Sequence, residues 1–231
     1  SLFALRRGIS REEKLLVAYM LSQDDMRSIK STIKSIIGLT FGFEAFGALL
    51  LYFSHPDFSG PYGGRLFAAI FHAVSAFCNA GFALFSDSLE GFSGSVAVNG
   101  VIMLMIICGG LSFGVVMNLA VNSLVVLSIS GLLILVGTLL FYGLEHGGVL
   151  RPLSTGRQYL AALFQSVTLR TAGFNTVSLT SLKTPTYLLM CLFMFIGGAS
   201  GSTAGGIKVN TAATVAAFFR SRLQDTQQIL L

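Results

Sequence analysis

The chain has 231 residues, of which 53% are hydrophobic and 11% are charged, and its mean hydropathy is +0.77. Soluble domains carry roughly 25% charged residues, so this composition excludes an ordinary soluble domain. It predicts an all-α polytopic membrane protein. The formal net charge of +5 does not indicate a nucleic-acid partner, because much of the basic charge lies before the first apolar segment and after the last.

Four segments of the chain approach or exceed the roughly 20 apolar residues that a membrane-spanning helix needs. They are residues 33–53, 96–116, 124–144 and 185–219, of which the last is interrupted in its middle. Two further apolar helices, one at 65–77 and one beginning at Tyr159, are too short to cross a bilayer. The order of these elements predicts two tandem repeats, each made of a span, a short re-entrant helix with a loop, and a second span.

The repeats divide the chain into a basic cytoplasmic helix at 1–32, a pore repeat at 33–122, a pore repeat at 123–222 with a broken inner helix, and a cytoplasmic tail at 223–231. Basic residues before the first span, and Arg220 and Arg222 after the last, predict that both ends are cytoplasmic. No Lys or Arg marks the turn between the second and third spans, which suggests that a loop is missing there. The first residue, Ser1, likewise suggests a fragment.

Two short sequences repeat the same pattern of an apolar helix that ends in a glycine loop. Phe71 aligns with Phe164 and Gly81 with Gly173, so the two copies differ by one residue in length. Glycine permits positive φ, which lets successive carbonyls point one way, and backbone carbonyls can replace the hydration shell of a cation. The expected ligands are the backbone oxygens of Asn79, Ala80, Gly81, Thr171, Ala172 and Gly173. The alternative is a pair of ordinary turns after interfacial helices.

A run of small residues interrupts the last span between Gly197 and Gly206. Glycine costs roughly 1 kcal/mol against Ala inside a helix, so an unbroken helix is not expected there. We predict an intramembrane gating loop; the alternative is a helix interface rich in small residues. Lys208 would need water, a carboxylate or carbonyls around it. The predicted gate residues are Gly197, Gly198, Ser200, Gly201, Ser202, Thr203, Gly205, Gly206 and Lys208.

Several other motifs in the sequence are weaker indications of function. The glycine-rich run lacks the Gly-Lys pair and the preceding strand of a phosphate loop, and Ser200 has no histidine on an obvious partner span to act as the base of an intramembrane protease. The cysteines have neither metal-ligand spacing nor the pattern of a disulfide framework. Gly109 and Gly110 could form a hinge or a packing contact. We expect Arg170 to point into a structural hydrogen-bond network, and Glu44 to pair with a neighbouring polar group rather than to bind an ion.

The segments Phe71–Phe82, Phe164–Thr176 and Phe195–Lys208 resemble the Trk/Ktr/HKT superfamily of potassium transporters, most closely the membrane subunit of the bacterial Ktr branch. The resemblance implies a potassium-channel-like architecture of four pore copies, with Gly81 and Gly173 as the filter glycines of the second and third. It also implies a homodimer and a cytoplasmic ring of nucleotide-binding regulatory subunits. The first and fourth copies are absent, so the chain is expected to be the middle half of a longer subunit.

The function expected from these features is potassium uptake across the cell membrane by a multi-pass protein in contact with lipid, with no enzymatic activity and no cofactor in this chain. Potassium is the expected substrate at the filter carbonyls, and sodium could serve as a coupling or activating ion. The alternative is a non-conducting membrane scaffold or receptor that retains the pore fold. The sequence leaves open whether the protein is a channel or a coupled transporter.

Overall fold

The computed structural model describes residues 29–60, 63–111, 113, 121–209, 211, 212, 215 and 218. The chain divides into two compact units, residues 1–43 and 44–231, with the boundary inside the first described helix. The predicted basic helix at 1–32 and the tail at 223–231 lie almost entirely outside the described residues. The helices are α1 (Ile29–Ser54), α2 (Gly64–Phe77), α3 (Val96–Gly110), α4 (Val121–Glu145), α5 (Thr155–Thr168) and α6 (Thr184–Phe195).

Two of the described helices are long and apolar enough to cross a membrane, judged by length and composition: α1 over Ile33–Ser54 and α4 over Val126–Glu145. Helices α3 and α6 are apolar but shorter. The predicted second span, 96–116, is interrupted near its end, because α3 stops at Gly110 and Leu111 is extended, with ψ of 146°. Two consecutive glycines weaken the helix there, and their carbonyls bond to another segment of the chain, as described below. Residue 113 is again helical, and residues 114–116 lie outside the described part of the chain.

Helices α2 and α5 have 14 residues each. At 1.5 Å per residue each is about 21 Å long, well short of the roughly 30 Å of a hydrocarbon core. Helix α2 packs against α3, and α5 packs against both α4 and α3. The contact between α4 and α5 is close at Gly137, where an added Cβ would overlap the hydroxyl of Ser166. That hydroxyl donates a hydrogen bond of 2.7 Å to the carbonyl of Ile134 in α4.

A fully buried carboxylate joins the end of α4 to the start of α6. Glu145 Oε1 accepts hydrogen bonds from the backbone N–H of Lys183 at 2.8 Å and from the hydroxyl of Thr186 at 2.5 Å. Its Oε2 accepts from the N–H of Val149 at 3.2 Å. Glu145 thereby satisfies a backbone N–H at the start of α6 that has no backbone partner within that helix. The apolar core beside it is formed by Phe141, Leu150, Ala161, Ala162, Val177 and Leu182.

Candidate functional site

The first glycine loop leaves α2 through a tight series of backbone hydrogen bonds. The N–H of Cys78 donates to the carbonyl of Val74 at 2.9 Å, and the N–H of Ala80 donates to the carbonyl of Ser75 at 2.8 Å. Asn79 and Gly81 both have positive φ, at 50° and 71°. Ala80, between them, has negative φ. This alternation turns the backbone so that successive carbonyls do not point to opposite sides, as they would in a strand.

The second glycine loop repeats this backbone conformation. Thr171 and Gly173 have φ of 68° and 91°, at the positions that align with Asn79 and Gly81. Ala172 N–H donates to the carbonyl of Thr168 at 2.9 Å, the counterpart of the bond from Ala80 to Ser75. Positive φ is uncommon outside glycine, and a threonine that adopts it is an outlier. The same unusual conformation at matching positions argues against two unrelated turns.

The two glycine loops lie in backbone contact. A Cβ added to Gly81 would overlap the carbonyl oxygen of Ala172 and lie 2.8 Å from the Cα of Gly173. A Cβ added to Gly173 would lie 3.3 Å from the Cα of Gly81. The two glycine loops, far apart in the sequence, are therefore direct neighbours in space.

A second contact between the repeats lies just beyond the loops and centres on Asn175. Its N–H donates to the hydroxyl of Ser88 at 3.2 Å, and its carbonyl accepts from Leu89 N–H at 3.0 Å. Its side-chain amide donates to Glu90 Oε1 at 2.8 Å. We did not expect a role for Asn175 from the sequence. The signal that could have found it is the alignment of the copies, in which this polar residue replaces Ala83.

The first glycine loop is supported from behind by two polar side chains of α2. The hydroxyl of Ser75 donates to the carbonyl of Phe82 at 2.8 Å. The ring of His72 is fully buried, with Nδ1 at 2.7 Å from the carbonyl of Ala68 and Nε2 at 3.3 Å from the N–H of Leu84. Because that N–H can only donate, Nε2 must accept, and Nδ1 carries the proton of a neutral ring. Phe58, Phe71 and Phe85 surround the ring, with centroids 4.9 to 5.6 Å away.

The glycine-rich segment after α6 is non-helical over 196–208, and helical residues resume at Val209. The helix therefore breaks where the glycines predict that it should. Two bonds of 3.0 Å, from Gly197 N–H to Ile207 and from Ile207 N–H to Phe195, join the ends of the loop. A third, from Val209 N–H to Gly198, lies beside them at 3.0 Å. The segment is thus a closed loop with its own hydrogen bonds.

This loop bonds to both glycine loops. The hydroxyl of Thr203 accepts from the side-chain amide of Asn79 at 2.8 Å and lies 2.8 Å from two carbonyls, those of Phe77 and Gly109. On the other side, the N–H of Gly205 donates to the hydroxyl of Thr171 at 2.9 Å. The side chains of Asn79 and Thr171, the non-glycine residues of the two loops that have positive φ, therefore connect the glycine loops to the interrupted segment.

The end of α3 completes this contact. The carbonyl of Gly109 accepts from Thr203 N–H at 3.0 Å, and that of Gly110 accepts from Ala199 N–H at 3.0 Å. A Cβ added to Gly109 would overlap the carbonyl of Phe77. Of the two interpretations of this glycine pair, the structure therefore supports close packing.

The three charged residues near the site differ in whether their polar atoms have hydrogen-bond partners. Lys208 donates to the carbonyl of Ala204 at 2.6 Å, one of the environments expected for it. Glu44 accepts a hydrogen bond from the thiol of Cys78 at 3.7 Å between sulfur and oxygen, a polar pair as expected. Arg170 is buried, but its Nε and Nη2 have no hydrogen-bond partner in the described part of the chain. The network predicted for these two atoms is therefore not found there.

The other predicted site residues lie in the two glycine loops or in the loop at 196–208. Gly201 and Gly206 have φ of 75° and 72°, a left-handed conformation that glycine adopts without steric cost. Ser202 bonds within its own loop, to the carbonyl of Ala199 at 2.6 Å, and Ser200 is exposed. Across the described ranges no three His, Cys, Asp or Glu side chains converge on one point.

The chain matches the family TrkH, described as a cation transport protein, over residues 5–123 and 114–229. It is 38% identical to the Ktr system potassium uptake protein B of Vibrio alginolyticus, over 89% of this chain and 48% of that protein. It is 35% identical to the Bacillus subtilis protein of the same name, over 90% of this chain and 49% of the relative. The Potassium/sodium uptake protein NtpJ of Enterococcus hirae is 34% identical, over 89% of this chain and 48% of its own length.

The crystal structure of the potassium transporter TrkH from Vibrio parahaemolyticus is similar in fold, with a TM-score of 0.73 and 22% identity, over 91% of this chain and 45% of that one. The chain thus spans about half the length of the curated relatives that it matches. The helical repeats, the re-entrant helices and the sequence matches agree with one another. The chain belongs to the TrkH family of cation transport proteins.

Proposed function

We propose that this chain forms part of a potassium uptake system of the cell membrane, in which Asn79–Gly81 and Thr171–Gly173 supply backbone oxygens to a selectivity filter. The observation that carries the proposal is the repeated pair of positive φ angles at matching positions of two touching loops. Carbonyl oxygens held in fixed positions can replace the hydration shell of a potassium ion. Two loops form two walls, so the other walls would come from polypeptide beyond these residues.

The loop at 196–208 would then act as the gate. It bonds to both filter loops, through Thr203 and Asn79 on one side and through Gly205 and Thr171 on the other. Backbone that leaves the helix at membrane depth is tolerated where it is buried in protein or lines a wet cavity. The bonds of Ile207 to Gly197 and Phe195 hold the two ends of the loop together, so the loop can be displaced as a unit.

The ions and partners in this proposal follow from the relatives. Three relatives carry potassium in their names, and the Enterococcus hirae protein carries sodium as well, so sodium is a second candidate for transport or coupling. Two relatives are described as parts of a Ktr system, which supports separate regulatory components. We propose a homodimer in lipid with a cytoplasmic nucleotide-binding ring, and cytoplasmic ends for this segment.

The test is the uptake of radioactive rubidium into proteoliposomes that hold the protein expressed from its complete native reading frame, with potassium or sodium as competitor. We expect potassium to block uptake far better than sodium, and Gly81→Ser or Gly173→Ser to reduce that difference. Gly147→Ser is the matched control, because an added Cβ at this exposed glycine meets nothing within 4 Å.

Equal block by both ions in the native protein, or unchanged selectivity in both filter variants, would refute the filter. Folded protein that takes up no ion, even with its cytoplasmic partner added, would instead favour a non-conducting scaffold that retains the pore fold.

A further inference from the structure

The two glycine loops have matching backbone conformations, but the polar side chains packed against them are hydrogen-bonded differently. The alignment pairs His72 with Gln165 and Ser75 with Thr168 before the one-residue difference, and Leu84 with Thr176 after it. The pairing of Ser75 with Thr168 is structural as well, because their carbonyls accept the equivalent bonds from Ala80 and Ala172. Corresponding residues therefore occupy corresponding places around each loop.

Behind the first loop the polar groups bond directly to one another. His72 bridges its own helix and the N–H of Leu84, and Ser75 donates to the carbonyl of Phe82. The His72 ring and the Ser75 hydroxyl need no further partner, since each makes the bonds that its geometry allows.

Behind the second loop the corresponding polar groups are buried and unpaired. Gln165 is 0% exposed, and neither its amide nitrogen nor its amide oxygen has a partner in the described residues. The hydroxyls of Thr168 and Thr176, whose side chains belong to residues 5% and 2% exposed, also lack partners there. Buried polar side-chain atoms are bonded in the large majority of cases, to protein or to ordered water, so these atoms require partners.

The partner must be small and must both donate and accept. The three residues are already covered by this chain, so a side chain from elsewhere could not reach them without displacing it. A cation would satisfy the oxygens but leave the amide N–H groups of Gln165 unpaired, and no carboxylate is present among the three to offset its charge. A water molecule offers two donors and two acceptors, and buried waters typically make about three hydrogen bonds.

We propose that ordered water, held by Gln165, Thr168 and Thr176, supports the second filter loop where direct side-chain bonds support the first. The functional consequence rests on the filter proposed above. The carbonyls of Thr171, Ala172 and Gly173 would be positioned through exchangeable water, whereas those of the first loop are positioned through fixed bonds. The two walls would then differ in stiffness and in their contribution to selectivity.

The first experiment is a high-resolution cryo-electron microscopy map of the protein from its complete reading frame, and of its Thr168→Val variant. Valine has nearly the same shape as threonine, with a methyl group in place of the hydroxyl. We expect water density within hydrogen-bond distance of Gln165 and Thr176 in the native map and weaker density in the variant. The Thr155→Val variant, at the exposed start of α5, should retain the density.

The second experiment measures rubidium uptake with potassium and sodium as competitors. Thr168→Val should reduce the preference for potassium several-fold, and Thr155→Val should leave it unchanged. Gln165→His should restore a direct bond, because Ala161 stands four residues earlier as Ala68 does before His72. This variant should lose the water density and keep the selectivity.

Three results would overturn the proposal: a native map that shows ordered water elsewhere but none at this site, density with the short multiple oxygen contacts of a cation, or water in the Gln165→His map. A folded native protein that does not transport, even with its cytoplasmic partner added, would refute the filter. The density at Gln165 would still decide whether the water is there.

Discussion

The hydroxyl of Thr203 is the point at which the interrupted loop, the first glycine loop and the end of α3 meet. It accepts one hydrogen bond from Asn79 and can donate its single proton to the carbonyl of Phe77 or of Gly109, each 2.8 Å away. Thr203→Val would remove both the accepted and the donated bond while keeping the shape of the side chain. If the loop is a gate, the variant weakens only the closed arrangement.

The size of this effect follows from the bonds lost. A protein hydrogen bond contributes about 1 kcal/mol net, so two bonds give about 2 kcal/mol. Because about 1.4 kcal/mol corresponds to a factor of ten, the balance between closed and open loop should shift by roughly 30-fold. Where closed protein predominates, we expect basal rubidium uptake to rise by up to this factor. Selectivity should change little, since Gly81 and Gly173 are untouched.

The controls separate the lost hydroxyl from general damage. Thr203→Ser retains the hydroxyl and should behave like the native protein. Thr211→Val makes the same chemical change at an exposed helical position beyond the loop, and it should have no effect. Basal uptake in Thr203→Val that is within twofold of the native rate, or below it, would refute the gating role of this contact.

Three further predictions concern the walls and their supports. Gly81→Ala should reduce potassium selectivity more than Gly173→Ala, measured by competition of uptake, because only the first Cβ overlaps a carbonyl oxygen; an equal loss would contradict the contact geometry. Asn175→Leu removes the amide that bonds to Glu90 and should also lower selectivity, whereas wild-type selectivity would show that this contact does not position the filter. Glu145→Gln should lower the free energy of unfolding by about 1–3 kcal/mol without altering selectivity, because the amide group cannot accept from all three donors. Thermal unfolding in detergent measures the last effect, and an unchanged midpoint would refute it.

Local sequence was sufficient to predict the elements whose cause is local. Glycines in the last apolar segment destabilise a helix wherever they stand, so the break after Phe195 could be placed from composition. The repeated apolar helices and the glycines at 81 and 173 could be found by comparing the chain with itself. The conclusion that these loops bind an ion remains a prediction.

Features that depend on distant partners could not be predicted. The end of α3 at Gly110 involves carbonyls that bond to Ala199 and Thr203, and the sequence at 96–116 contains no information on that contact. The same holds for Asn175, whose partners Ser88 and Glu90 precede it by 87 and 85 residues. The alignment pairs Gln165 with His72, but only the three-dimensional structure shows that the His72 ring is hydrogen-bonded and the Gln165 amide is not.

The contacts of Asn175 also bear on how the protein is made. A ribosome adds residues from the N-terminus, so the segment that contains Glu90 is synthesised 85 residues before the side chain that holds it. The first glycine loop therefore cannot reach its final surroundings during the insertion of its own repeat. It must wait in the membrane until the second repeat has entered, and contacts of such long separation form slowly. A nascent chain halted between the two repeats should present the segment around Glu90 to proteases or chaperones, and completion of the second repeat should protect it.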